Sequence, residues 1–113
     1  MGLEPMSIIE ICNKIDVDCE AFYGFDIMGK IISSSLSILK KIPSISDELL
    51  ERVESIKKPI HVVVLSGNFD GLIGKIRQLR KKGAVINLLI FIGKLDSEKR
   101  EKLKMYGINS IAV

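Results

Sequence analysis

The sequence predicts an α/β domain with three layers, in which a parallel sheet of about four strands lies between two layers of helices. In the second half of the chain, short and almost continuously apolar runs alternate with amphipathic segments that begin at capping residues. The 113 residues, of which 47% are hydrophobic and 27% charged, suit a single domain with one core. Consecutive crossovers of this length require parallel strands.

The N-terminal part is expected to be irregular and largely helical. Ser7 and Glu10 have the spacing of a capping box, which predicts a short helix near 8–14. Apolar and acidic residues then alternate from Ile15 to Tyr23, which predicts a half-exposed strand, although such a short run is also compatible with a helix.

Asp26 is predicted to cap a helix that runs to Ile42 and ends at Pro43. Its apolar stripe is predicted to consist of Met28, Ile31, Ile32, Leu39 and Ile42. The helix also contains a patch of small residues, namely Ser33, Ser34, Ser35 and Ser37. Because serine is a weak helix former, this patch indicates close packing against a neighbour rather than nucleophilic chemistry.

Ser46 opens the next predicted helix, with Ile45 and Leu50 placed as a hydrophobic staple and Leu49 on the apolar face. No convincing strand precedes this helix, at the point where a regular doubly wound fold has its second strand. We therefore expect an edge strand here to be missing or degenerate.

The pattern is clearest after residue 59. Strands are predicted at 60–65, 85–92 and 108–113, and helices at about 70–82 and 97–106. The sheet should therefore be centred on three strands of this half, and the whole chain, residues 1–113, should form one domain.

Several classes of protein are excluded by composition. The longest apolar stretches are far shorter than the roughly 20 residues of a membrane-spanning helix. The first residues lack the basic start of a secretory signal, so we expect a cytoplasmic protein without membrane association. Cys12 and Cys19, with the single distant His61, cannot form a four-ligand zinc site, and are expected to be reduced thiols.

Charge is divided unevenly along the chain. Residues 1–56 carry five basic and ten acidic side chains, whereas residues 57–113 carry twelve basic and four acidic ones. This asymmetry favours self-association or an anionic partner, although a basic helix face is also typical of solvated surface. We expect a homo-oligomer, most simply a homodimer. Nucleic acid is supported only through phosphate attraction, because the basic helix lacks interleaved aromatic residues.

Candidate binding residues lie where strands of the predicted sheet end. Ligands of open parallel sheets collect at the carboxyl ends of the strands. The loop after the strand at 60–65 provides small and hydrogen-bonding residues ahead of a helix N-terminus, namely Ser66, Gly67, Asn68, Asp70 and Gly71. Gly93 and Lys94 follow the next strand, and Asp26 follows the first. These residues are equally suited to turns and helix caps, whereas Asp26 and Asp70 together are suited to hold Mg²⁺.

Three segments resemble the cobalamin-binding domain of corrinoid-dependent mutases and methyltransferases, which has a flavodoxin-like fold. The similar segments are 24–32, 62–83 and 90–113. The resemblance implies a Rossmann-like or flavodoxin-like architecture. The histidine that ligates cobalt in that family has no counterpart here, because Asp26-Ile27-Met28-Gly29 occupies its place, so the resemblance is that of a degenerate corrinoid-binding domain.

A shorter similarity links Ser66-Gly67-Asn68-Phe69-Asp70 to the metal-binding S-G-D-x-D segment of NYN/PIN-like nucleases. It implies a metal-dependent hydrolase as an alternative function. Since no nucleophile–base pair can be named, the sequence favours a non-catalytic ligand- or protein-binding module. Its expected ligand is a phosphorylated small molecule at the strand carboxyl ends, and the identity of any cofactor is left open.

Overall fold

The computed structural model describes Glu10, Cys12, Asn13 and residues 19–52 and 58–113. Their strands are β1 (Ala21–Gly24), β2 (Ser44–Ile45), β3 (Ile60–Ser66), β4 (Ala84–Phe91) and β5 (Ser110–Ala112). The helices are α1 (Ile27–Lys40), α2 (Asp47–Arg52), α3 (Leu72–Lys81) and α4 (Ser97–Met105). The capping-box serine and most of the predicted helix at 8–14 lie outside the described residues.

All strand pairs are parallel, and the strand order is β2-β1-β3-β4-β5. This is the order of flavodoxin-like folds, in which strand order reverses between β1 and β3. The sheet has five strands rather than about four, because the expected degenerate edge strand exists as the two-residue β2. The predicted α/β class with a layer of helices on each face is confirmed.

The two faces of the sheet carry separate cores. Tyr23, Val62 and Val64 point towards the face covered by α2, α3 and α4. Phe22, Val63 and Leu65 point towards the opposite face, where they pack with Cys12 and with Ile32 and Leu36 of α1. The alternation of side chains along each strand thus fills both cores, as in a sheet buried on both sides.

The first strand differs from the prediction. The structure places β1 at Ala21–Gly24, and all four of its residues are buried, so it is not half-exposed. Cys19 and Glu20 precede the strand, and residues 15–18 of the predicted run lie outside the described residues. The alternating pattern wrongly predicted an exposed face because both faces of β1 are covered by other elements.

Helix α1 has the predicted start and a different buried face. The Asp26 carboxylate accepts a hydrogen bond from the Gly29 amide at 2.8 Å, which confirms the cap. The helix ends at Lys40, because Lys41 adopts a left-handed conformation with φ of 56° before Pro43 is reached. Its buried residues are Gly29, Ile32, Ser33 and Leu36. Ile31 and Leu39, predicted to face the core, are exposed.

Small residues bring α1 close to the sheet. A Cβ atom on Gly29 would lie 2.1 Å from the Leu65 carbonyl oxygen, so only glycine fits against β3 at this position. Ser33 is buried, and its hydroxyl is 2.8 Å from that of Ser44 in β2. The expectation of close packing is therefore met at Ser33, whereas Ser34 is exposed.

A one-residue irregularity in β4 explains a polar residue within an apolar strand. Val62 pairs with Ile86 and Val63 with Leu88, so Asn87 is the extra residue of a bulge. The Asn87 side-chain oxygen lies 2.9 Å from Nδ1 of His61. His61 is the second residue of β3 and lies at the amino end of the strand, opposite the predicted binding edge.

Helices α2 and α4 begin at their predicted caps. Ser46 accepts from the Leu49 amide at 3.2 Å and begins α2, although Leu49 itself is exposed rather than on the apolar face. Asp96 accepts from the Lys99 amide at 2.8 Å and begins α4. No helix among the described residues is both long and apolar enough to span a membrane.

Candidate functional site

Three loops meet at the carboxyl edge of the sheet, as predicted. The Phe25 amide donates to the Leu65 carbonyl at 2.9 Å, which joins the ends of β1 and β3. The Ile92 amide donates to the Ser66 carbonyl at 2.8 Å, which joins the ends of β3 and β4. The candidate residues of all three loops therefore lie along one edge.

Asp26 fills the point where strand order reverses. Besides capping α1, its carboxylate accepts from the Gly67 amide, with distances of 3.0 Å to Oδ2 and 3.1 Å to Oδ1. Two backbone N–H groups of this kind are what an anionic ligand normally finds at such a crevice. The chain's own carboxylate takes them instead, so Asp26 holds the loops together.

Ser66 and Asn68 are engaged within their own loop. The Ser66 hydroxyl donates to the Asn68 carbonyl at 2.6 Å and accepts from the Asn68 amide at 3.1 Å. The Asn68 side-chain oxygen accepts from the Asp70 amide at 3.1 Å. Ser66 is fully buried. These two side chains therefore shape the turn, which corresponds to the structural alternative considered for them.

Glycines in these loops lie in close packing at Gly67 and in a positive-φ conformation at Gly93. A Cβ atom on Gly67 would lie 3.1 Å from Cβ of Met28 in α1. Gly93 has φ of 129°, and its amide donates to the Val113 carbonyl at 3.0 Å. Lys94, next in the chain, is exposed. Gly93 and Lys94 thus lie at the predicted edge without lining the groove described next.

A groove between α3 and α4 contains the remaining two candidates. It has a volume of about 330 Å³ and begins at the first turn of α3. Its lining residues are Phe69, Asp70, Gly71, Ile73, Gly74, Arg77, Lys102 and Tyr106. Asp70 and Gly71 therefore contribute to a concave surface, and Asp26 does not share it with Asp70.

The groove opens at a helix start that has no side-chain cap. Gly71 is the N-cap residue of α3, with φ of 75° and no capping side chain, whereas α1, α2 and α4 are capped by Asp26, Ser46 and Asp96. The Leu72 amide donates to the Phe69 carbonyl at 3.1 Å, whereas Ile73 and Gly74, the next two residues of the first turn, line the groove and receive no side-chain cap from Gly71. Such amides carry the partial positive charge of a helix N-terminus.

Cations and aromatic rings lie in the groove and beside it. The Arg77 guanidinium lies 5.7 Å from the centre of the Tyr106 ring, and the Lys99 ammonium lies 5.8 Å from that of Phe69. Arg80 donates to the Tyr106 and Gly107 carbonyls at 2.6 and 3.1 Å, which fixes the end of α4 against α3. Within the described part of the chain, no carboxylate forms an ion pair with Arg77 or Lys102.

A second polar cluster, not foreseen from the sequence, surrounds Asp47 at the start of α2. The buried Tyr23 hydroxyl donates to Asp47 Oδ1 at 2.6 Å. The ammonium groups of Lys75 and Lys30 lie 3.4 and 3.7 Å from the same carboxylate. These residues are up to 52 positions apart in the chain, so no local spacing could have indicated that they meet.

Electrostatics of the Asp47 cluster follow from these contacts. The hydrogen bond from Tyr23, assisted by Lys75 and Lys30, holds the pKa of Asp47 below its ordinary value against the opposing effect of burial. Burial and the Asp47 carboxylate raise the pKa of Tyr23 far above its ordinary value. The adjoining cleft of about 400 Å³ is lined by Lys30, Asp47 and Glu48 with three serines, so its carboxylates outnumber its cations.

Comparison with protein-family models, curated proteins and solved structures yields no match. The features from which a function can be proposed are therefore the flavodoxin-like strand order and the two polar clefts. The resemblances to corrinoid-binding domains and to NYN/PIN-like nucleases stay predictions. Among the described residues, no three His, Cys, Asp or Glu side chains come together as a metal site.

Proposed function

We propose that this chain is a non-catalytic binding module that takes a phosphorylated small molecule in the groove between α3 and α4. One observation carries the proposal: Arg77 and Lys102, which have no carboxylate partner among the described residues, line the same groove as the uncapped first turn of α3. Phosphate groups bind where N–H donors and cations converge.

The cations are suited to an anion in different ways. Arg77 stacks on Tyr106, which restricts its side chain, so less conformational entropy is lost when it binds a ligand. Lys102 lies on the opposite wall, on α4, and supplies a point charge. Asp70 is the one carboxylate among the described lining residues and suits a ligand hydroxyl group rather than its phosphate.

The size and lining of the groove indicate the ligand class. A volume near 330 Å³ is at the lower end for small-molecule sites, which fits a mononucleotide or a sugar phosphate. Phe69, Ile73 and Tyr106 offer apolar contact to the remainder of the ligand. We infer binding rather than a reaction because the lining residues include no nucleophile with an adjacent base.

The experiment that tests this proposal is a thermal-shift screen followed by calorimetry. The probes are adenosine monophosphate, ribose 5-phosphate, inorganic phosphate, a corrinoid and Mg²⁺. A probe at about 100 times its dissociation constant should stabilise the fold by about 2.7 kcal/mol. The double variant Arg77→Gln/Lys102→Gln should bind the phosphorylated probe at least about tenfold more weakly, because charge-assisted hydrogen bonds contribute about 1.5–3 kcal/mol.

The matched control is Lys81→Gln, which removes an exposed cation of α3 that does not line the groove. It should leave the affinity within about twofold. Unchanged affinity in the double variant would contradict the proposed groove. Stabilisation by Mg²⁺ alone, abolished in Asp70→Asn, would favour the metal-dependent hydrolase instead.

A further inference from the structure

We propose that the groove between α3 and α4 binds a single strand of nucleic acid, with one nucleotide in the groove and its neighbours along the basic faces of the two helices. This inference rests on the proposed function, because it takes the phosphorylated ligand to be part of a longer strand. It depends on cations that border the groove without lining it, and on aromatic rings that lie at the groove but outside α3.

Helices α3 and α4 are strongly basic. Together they contain eight basic and two acidic residues. Among the described residues, only Lys75 of these eight forms an ion pair with a carboxylate, that of Asp47. Arg80 and Arg100 donate to backbone carbonyls, which are neutral, so both side chains keep an uncompensated positive charge. The surface of these helices therefore attracts a polyanion.

Two stripes of cations border the groove. On α3, Arg77 lines the groove and Lys81 follows it by four residues, so both lie on one side of the helix. On α4, Lys102 lines the groove and Lys99 precedes it by three residues. From Ile73 to Lys81 the stripe of α3 is about 12 Å long. Because the charges of a stacked strand are about 3.4 Å apart, a strand along the groove places more than one phosphate beside these cations.

Aromatic rings lie at both ends of the groove. Phe69 is at its start, with the Lys99 ammonium 5.8 Å from the ring centre. Tyr106 is at its far end, 37% exposed, with the Arg77 guanidinium 5.7 Å from the ring centre. Bases of a single strand stack on aromatic rings and on guanidinium planes. Helix α3 contains no aromatic residue, so its own sequence could not indicate this stacking surface.

The shape of the site favours a single strand over a duplex. The rings and Arg77 lie in a groove of about 330 Å³ between two helices, where they can reach only a base that has left its stack. Asp70 lines the start of the groove, and Glu98 lies in the first turn of α4. Phosphates are therefore expected along the middle and the far end, beside Lys102, Arg77 and Lys81.

The test measures how tightly the full chain binds a labelled RNA of ten nucleotides, of mixed and non-self-complementary sequence, by fluorescence anisotropy. The strand should bind at least about tenfold more tightly than adenosine monophosphate, because neighbouring phosphates add contacts. Lys81→Gln/Lys99→Gln should weaken binding of the strand about tenfold. It should also reduce the slope of log affinity against log salt concentration by about 1.4, since each phosphate contact contributes about 0.7.

The same double variant should leave the affinity for adenosine monophosphate within about twofold, because neither lysine lines the groove. The matched control is Lys40→Gln/Lys58→Gln, which removes two exposed cations outside α3 and α4 and lowers the net charge equally. It should change the affinity for the strand by less than about twofold. Tyr106→Leu keeps an apolar side chain and should weaken strand binding at least about fivefold, because base stacking is lost.

The outcomes separate this inference from the proposed function. A strand that binds no more tightly than adenosine monophosphate would overturn the inference and leave the small-molecule site standing, whereas binding of neither would overturn both. Equal weakening by the two lysine pairs would show general charge attraction and would also overturn it. So would a duplex of the same RNA that binds as tightly as the single strand.

Discussion

Tyr23 shows how one buried hydroxyl connects three elements. Its hydrogen bond to Asp47 links β1 to α2, and Lys75 links the same carboxylate to α3. Tyr23→Phe should lower the free energy of unfolding by about 2 kcal/mol at neutral pH, because the carboxylate loses a charge-assisted donor. Urea titration measures the change. Tyr106→Phe, whose hydroxyl bonds to no described residue, should cost less than about 0.5 kcal/mol.

The effect of Tyr23→Phe on the free energy of unfolding should depend on pH. Because the pKa of Asp47 is lower in the folded state than its ordinary 3.8, ionised Asp47 stabilises the fold above that pH, and the contribution disappears as the pH falls through the folded value. The difference between wild type and Tyr23→Phe should therefore be constant near neutrality and shrink below pH 3.8. A difference that stays the same below pH 3.8 would show that Tyr23 acts through packing alone.

At the scale of elements, Gly29 sets the distance between α1 and β3. An added Cβ atom would meet backbone at 2.1 Å, so Gly29→Ala should destabilise the protein by about 3 kcal/mol through forced displacement of the helix. Gly74→Ala in α3 is the matched control. A Cβ atom there meets nothing within 4 Å, so alanine should stabilise by about 0.5–1 kcal/mol. Equal effects in urea titrations would contradict this packing.

Elements with strong local signals could be predicted, and those fixed by distant partners could not. The caps at Asp26, Ser46 and Asp96 depend on residues within one helical turn, and all three form. The strand β2 has two residues next to Pro43, too few for any periodicity to indicate it. The bulge at Asn87 depends on the register with β3, which local sequence does not contain.

The binding edge could be predicted at the scale of the whole molecule because parallel strands end together. Which side chains face solvent at this edge could not be predicted from the sequence, since their exposure depends on contacts between loops. Asp26 and Ser66 were candidates, yet both are engaged by other loop residues. Lys102 and Tyr106 enter the groove from α4, about 30 residues further along the chain than Gly71, because of how α4 lies beside α3.

Strand order predicts how stability is distributed over the sheet. β3 lies at its centre, with a neighbour on each side and five consecutive fully buried residues from Val62 to Ser66. Its amides should exchange with solvent only on global unfolding, whereas those of β2 and β5 should exchange through local opening. Native-state hydrogen exchange measures both. Protection of β5 equal to that of β3 would show that another strand covers its outer edge.

Asp26 also bears on how easily such a chain could acquire a different ligand. Its carboxylate is a covalently attached counterpart of the free anion that a flavodoxin-like crevice is shaped to hold. In an Asp26→Gly variant the Gly29 and Gly67 amides would lose their acceptor, and added formate should restore part of the stability that is lost with the carboxylate. A single substitution at Asp26 would thus give the fold a second anion site, and the reverse substitution would remove it.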